Sequence, residues 1–310
     1  MINYYPKLTI VIRRPGSNRI GGTLRYLVTI SAALFFPLLI FTFAGAPVIP
    51  VKTFAQSRYM GEAQFEGSMD HYLQGNYETA ASGFRNFLET APNDFNGHYL
   101  LADCLKRLGD RDGALENYEK ALAINPDNVD ARIYAGRLHQ EKKDFTGAGE
   151  HYRKGLEILP HDGELLVLMA TVRYDVKDYN GALEYCGQAL TLHPERSDVY
   201  RTLGMVRRET GDRKSAFDNL QKALTLNSED AETYRQLALT YLKFDDQDNA
   251  VANLAKTIEI DSTNAQAHVD LGNLLLIKGD KSQAAEHFAK ALELYPGLQE
   301  ASEGLRKAAR

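Results

Sequence analysis

The chain has 310 residues, 44% of them hydrophobic, so it can bury a sizeable core, and its net charge is −5. That charge is divided: residues 1–60 hold Lys7, Arg13, Arg14, Arg19, Arg25, Lys52 and Arg58 and no acid, so residues 61–310 carry the remaining −12. An acidic body argues against nucleic acid as a partner, because phosphate binding needs clustered Lys and Arg.

Residues 1–25 read as a basic, solvated tail. From Tyr26 to Val51 no charged residue occurs, and Leu27–Phe43 is a 17-residue apolar core. At about 1.5 Å per residue the uncharged stretch 26–51 is long enough to cross a hydrocarbon layer of about 30 Å. A retained signal anchor and a cleaved signal peptide both fit, with cleavage patterns ending at Ala46 and Ala55. Pro47 disfavours the first cut, and the apolar core is longer than that of an ordinary signal peptide, so an N-terminal transmembrane helix is the expectation. Positive charge stays on the cytoplasmic side. Five basic residues precede the span and two follow it closely. The rest of the chain is therefore expected outside the cytoplasm, anchored in the cytoplasmic membrane, or free in a periplasm after cleavage. Residues 52–60 read as a short linker.

From Gly61 to Leu298 one unit of 34 residues is written seven times without a gap: 61–94, 95–128, 129–162, 163–196, 197–230, 231–264 and 265–298. A fixed period of this length marks a stacked array. Position 20 of the unit is always alanine: Ala80, Ala114, Ala148, Ala182, Ala216, Ala250 and Ala284. Position 8 is always small, and position 32 is Pro92, Pro126, Pro160, Pro194 and Pro296, with Ser228 and Ser262 in two units. In unit two, Leu100, Leu101, Leu105 and Leu108 recur at helical spacing, Gly109 closes that helix, and Ala114, Tyr118, Ala121 and Leu122 line a second. Each unit is thus helix, turn, helix, stop. Small residues at positions 8 and 20 let the two helices approach closely, and larger ones at position 24 fill the space around them. Residues 299–310 form a last helix with one charged side (Glu300, Glu303, Arg306, Lys307), as an end cap requires.

This pattern resembles the tetratricopeptide repeat. It shows in Tyr200, Leu203 and Gly204 of unit five, in Tyr234, Leu237, Ala238 and Tyr241 of unit six, and in Leu101, Ala102, Ala114, Tyr118, Ala121 and Pro126 of unit two. The resemblance covers 238 of 310 residues. It implies an all-α solenoid of seven helix-turn-helix repeats with a C-terminal capping helix, behind the N-terminal membrane or signal helix. It also implies a right-handed superhelix whose first helices line a concave groove for peptide segments of other proteins. In that family the groove is lined from positions 2, 5, 9, 12 and 13, which here place Tyr99, Ile133, Arg137, Val167, Tyr174, Arg201, Arg208 and Arg235 on it. The expected ligand has apolar side chains for the first of these and an acidic group for Arg201 or Arg235.

No phosphate loop, dinucleotide fingerprint, metal spacing or nucleophile elbow is present, so no enzyme activity, cofactor or metal is expected. His98 and His268 share position 4 and His71 and His139 share position 11, as packing residues; His151 and His287 share position 23 and are expected exposed. Cys104 and Cys186 sit two units apart as buried thiols. The function implied is a membrane-tethered, non-enzymatic protein-interaction scaffold of a bacterial cell envelope, in assembly or secretion. A self-associating, homo-oligomeric array is one alternative. An organelle outer-membrane receptor with cytosolic repeats is another, against the charge bias.

Overall fold

The computed structural model describes residues 51–309, with side chains from Gly61 onward. The basic tail and all but the last residue of the uncharged stretch lie outside the described residues, and so does the expected membrane helix. Among the described residues no helix is long and apolar enough to cross a membrane.

The described residues form fifteen α-helices: α1 (Val51–Leu73), α2 (Tyr77–Thr90), α3 (Phe95–Arg107), α4 (Arg111–Ile124), α5 (Val129–Glu141), α6 (Phe145–Ile158), α7 (Gly163–Asp175), α8 (Tyr179–Leu192), α9 (Ser197–Glu209), α10 (Arg213–Leu226), α11 (Ala231–Lys243), α12 (Gln247–Ile260), α13 (Ala265–Ile277), α14 (Lys281–Leu294) and α15 (Gln299–Ala308). Each helix packs on its neighbours in sequence, and first helices also touch across units, as α7 does with α9 and α9 with α11. This is an α-solenoid, in which every unit covers the face its predecessor leaves open. The segment 52–60, expected as a linker, is helical and continues into unit one as part of α1.

The packing follows the unit positions. All seven position-20 alanines are fully buried, and so are the position-24 side chains Phe84, Tyr118, Tyr152, Cys186, Leu220, Leu254 and Phe288. These larger side chains lie against position 8. A Cβ on Gly136 would fall 2.3 Å from Tyr152, and one on Gly204 would fall 2.5 Å from Leu220. The second helices are held at their start by position 16. Asp110, Asp144, Asp178, Asp212, Asp246 and Asp280 each accept a hydrogen bond from the backbone N–H three residues on.

Position 15 is left-handed in every unit. It is glycine at Gly75, Gly109, Gly211 and Gly279, but Lys143 (φ 60°), Lys177 (φ 62°) and Asp245 (φ 65°) adopt the same conformation. The turn is therefore dictated by stacking and not by glycine alone. The inter-unit turn likewise survives without proline. Asn227 (φ −145°, ψ 95°) and Asp261 (φ −131°, ψ 89°), which precede Ser228 and Ser262, resemble Asn125 before Pro126 (φ −127°, ψ 88°). At the far end, α15 buries Ala301, Gly304 and Ala308 and leaves Glu300, Glu303, Arg306 and Lys307 in solvent.

Candidate protein-binding face

The first helices carry the expected site residues, and the structure gives them unequal roles. Ile133 and Val167 are only 6% exposed and sit in hydrophobic clusters between helices. They are packing residues and present little surface to a ligand, because position 5 of these two units is turned into the unit interface. Tyr99 is half-buried, stacked on Phe95 with ring centroids 5.7 Å apart and set edge-on to Tyr118 at 5.7 Å. Burial pushes its hydroxyl far above the ordinary tyrosine range. Tyr134 of unit three stacks on Tyr118 at 5.5 Å and lies under the Lys106 ammonium, 4.0 Å from its ring centroid. Units two and three are thus joined by an aromatic seam.

The arginines behave differently from the anchors expected of them. Arg235 on α11 donates to Glu232 on its own helix (2.9 and 3.0 Å) and to Asp270 on α13 (2.8 Å). Arg201 on α9 pairs with Asp230, the residue before α11, whose carboxylate also accepts from Thr233 Oγ1. That carboxylate makes no cap to its helix, unlike Asp94, Asn128, Asp162 and Asn264 at the same position. Arg208 is 6% exposed and spans three units: Nη1 donates to Gln236 Oε1 on α11 at 2.7 Å and Nη2 to the Tyr174 hydroxyl on α7 at 2.9 Å. Arg137 remains exposed and pairs with Glu164 on α7 at 2.8 Å.

Together these bonds make a ladder along the first helices. At one end Tyr72 donates to Asp103 (2.6 Å); further along, Gln140 donates to Asp175 (2.9 Å), and beyond Asp270 the ladder closes with Gln266 and Glu300 (3.2 Å). Each rung links a first helix to a neighbouring first helix or to the residue that begins it, so an incoming carboxylate at Arg201 or Arg235 has to displace a resident one. The partners lie about one repeat away in sequence and come from positions 2, 6, 9, 13 and 34. No local motif announces them, and sequence reading therefore missed them. The period itself was the available signal: a basic side chain at position 5 or 12 with an acid or amide one unit on.

The histidines at position 23 also differ from expectation. His151 is 12% exposed because it stacks on His139, and His287 is half-buried because it faces position 4 of its own unit, as Asn117 does. Asn117 bonds to His98 (3.0 Å) and His287 to His268 (3.0 Å) in that geometry. Burial lowers the pKa of both His268 and His287. Cys104 and Cys186 are free and fully buried, and burial pushes both thiols up to about 12.

The tetratricopeptide repeat family model matches residues 95–128 and 265–298, the second and seventh units. Solved structures similar to the chain include three of differing closeness. A tetratricopeptide repeat protein from Parabacteroides merdae superposes at a TM-score of 0.72 with 19% identity, covering 82% of this chain and 100% of that one. MamA is 30% identical over 52% of this chain and 94% of its own, at a TM-score of 0.39. PilW, a type IV pilus biogenesis factor, is 20% identical over 68% of this chain and 98% of its own, at 0.52. No curated protein matches the sequence.

Proposed function

The chain belongs to the tetratricopeptide repeat family, and from that premise we propose that it is a membrane-tethered scaffold whose first-helix face holds a peptide segment of a partner protein. Repeats of this kind are protein-interaction modules. The finer reading rests on one observation above all: the first helices are joined by hydrogen bonds and ion pairs, and between units two and three by ring contacts, so their face is organised before a partner arrives. A preorganised surface loses less freedom on binding. The half-buried Tyr99 and the exposed Arg137 are of the residue types that anchor interfaces. They supply the contact chemistry, while Arg201, Arg208 and Arg235 keep the units in register.

The tether and the placement follow from the first sixty residues. The uncharged stretch 26–51 anchors the chain, and the +7 of residues 1–60 is concentrated before it, which sets the repeats outside the cytoplasm in a bacterial envelope. Work there in assembly or secretion is the reading that fits a soluble acidic array on a single anchor.

Two measurements test this reading. Protease added to spheroplasts, whose outer membrane has been opened, against the same spheroplasts lysed, reads the side on which the repeats lie; digestion only after lysis overturns the extracytoplasmic placement. Affinity capture from the membrane fraction with the full-length chain, compared with an Asn96→Arg, Tyr99→Ala variant of the first-helix face, reads the binding face. Equal recovery of the same partner by both proteins overturns the role of that face.

A further inference from the structure

The junction of units two and three carries a cluster that the peptide-binding reading does not use. Glu119 on α4, His139 on α5 and His151 on α6 each offer one ligand atom within 4.8 Å of the other two. The Glu119 Oε1 lies 2.9 Å from His151 Nε2 and 3.7 Å from His139 Nε2. The two imidazoles stack with centroids 5.3 Å apart and an interplanar angle of 27°. Three helices from two units therefore converge two nitrogen donors and one carboxylate on one point.

The ring of His139 is positioned for this. Its Nδ1 lies 2.8 Å from Asp144 Oδ2, while the other oxygen of Asp144 caps α6 by accepting from the Gly147 N–H at 3.0 Å. A carboxylate on the far nitrogen fixes the tautomer and leaves Nε2 bare, the usual arrangement behind a metal-bound histidine. Room for that ring depends on Gly147, where a Cβ would come within 2.6 Å of His139 Nδ1. The Nδ1 of His151 is buried without a hydrogen-bond partner, so no second protein group claims that ring. The repeat supplies an internal control. The same three positions read Arg85, Leu105 and Asn117 at one neighbouring junction and Arg153, Arg173 and Tyr185 at the other; only the junction of units two and three combines a carboxylate with two imidazoles.

We propose that Glu119, His139 and His151 bind a divalent first-row transition metal, zinc by the character of its donors, and that the metal clamps unit two to unit three. Two imidazole nitrogens and one carboxylate oxygen form a borderline-soft set that zinc favours. Metal–ligand bonds of about 2.0–2.2 Å in a tetrahedron put donor atoms about 3.3–3.6 Å apart. The two distances from Glu119 bracket that value, and all three donor atoms lie within 4.8 Å of one another. Glu119 is 47% exposed, which leaves a path for the ion and a fourth position open to water.

The test is metal titration of the full-length chain carrying no histidine tag. Co²⁺ is used as an optical probe and Zn²⁺ for affinity and for the shift in melting temperature. The expected result is one equivalent per chain, visible d–d absorption of a four-coordinate site and a melting temperature raised by Zn²⁺. Glu119→Gln, His139→Ala and His151→Ala should each weaken binding about tenfold or more, whereas a His268→Ala, His287→Ala variant should bind as the parent does. Glu119 lies at the surface, so Glu119→Gln separates lost ligation from lost folding. Absence of saturable stoichiometric binding, or binding unchanged in Glu119→Gln and His151→Ala, overturns the proposal.

Discussion

Two junctions of the same array are built from opposite chemistry. Between units two and three the contact is made through rings: Tyr99 and Tyr134 of the first helices, both against Tyr118 of α4, with Lys106 over Tyr134. Between units five, six and seven they meet through arginines, as Arg201 with Asp230, Arg208 with Gln236 and Arg235 with Asp270. The helix-turn-helix frame is the same in both, set by the buried alanine at position 20 and the filled position 24. The frame thus fixes only that neighbouring units touch; what they touch with is free to vary. Aromatic contacts tolerate sliding and carry area, whereas charged hydrogen bonds are directional and leave a costly residue when broken.

Breaking each junction in turn sharpens the contrast. The largest effect is expected from the rings: Tyr118→Ala removes a fully buried side chain and should cost about 4 kcal/mol, read as a lowered urea midpoint. Tyr118→Phe should be nearly neutral, since the Tyr118 hydroxyl is buried without a partner. At the other junction Arg235→Ala takes the cation from the mostly buried Asp270, which keeps its bond from the Gln266 amide, and should cost about 3 kcal/mol. A cycle with Asp270→Asn should recover much of it, and simple additivity of the two variants would mean the rung is idle. Away from both junctions, Ala182→Leu forces bulk into the close crossing inside unit four. It should cost about 2 kcal/mol through overpacking; an unchanged melting curve would misplace position 20.

The polar rung at Asp103 has a pH signature. Burial raises its pKa, but bonds from Arg107, Lys106 and Tyr72 outweigh burial and hold the carboxyl below its ordinary value. A group whose folded pKa is depressed stabilises above its unfolded pKa and loses that contribution as pH falls through the folded one. The stability gap between the parent and Asp103→Asn should therefore be full at neutral pH and close below about pH 4. The smallest expected effect is a gain. Lys143→Gly and Lys177→Gly relieve left-handed conformations of non-glycine residues and should each stabilise by about 0.5–1 kcal/mol, if stacking holds the turn as at Gly109.

The frame was legible in the sequence because it repeats. Alanine at position 20 and the small residue at position 8 are each read from one unit and checked against six others, and the turn at Gly109 is matched by glycine in three others. The left-handed turns at Lys143, Lys177 and Asp245 were not legible, since nothing in those residues demands the conformation and only the stacked neighbours impose it. The face was legible in part. Tyr99 keeps part of its surface and Arg137 is exposed, while Ile133 and Val167 are in the core and Arg201, Arg208 and Arg235 are paired along the array. Partners one repeat distant leave no local trace, and the same distance hid the meeting of Glu119 with His139 and His151.

The central claim is that the first-helix face receives another polypeptide. Photo-reactive side chains introduced singly at Asn96 and Arg137 on first helices, and at Lys120 and Lys222 on second helices, test it in living cells by site. The account predicts adducts to the same polypeptide from Asn96 and Arg137 and none from Lys120 and Lys222. Adducts confined to the second-helix positions would contradict it.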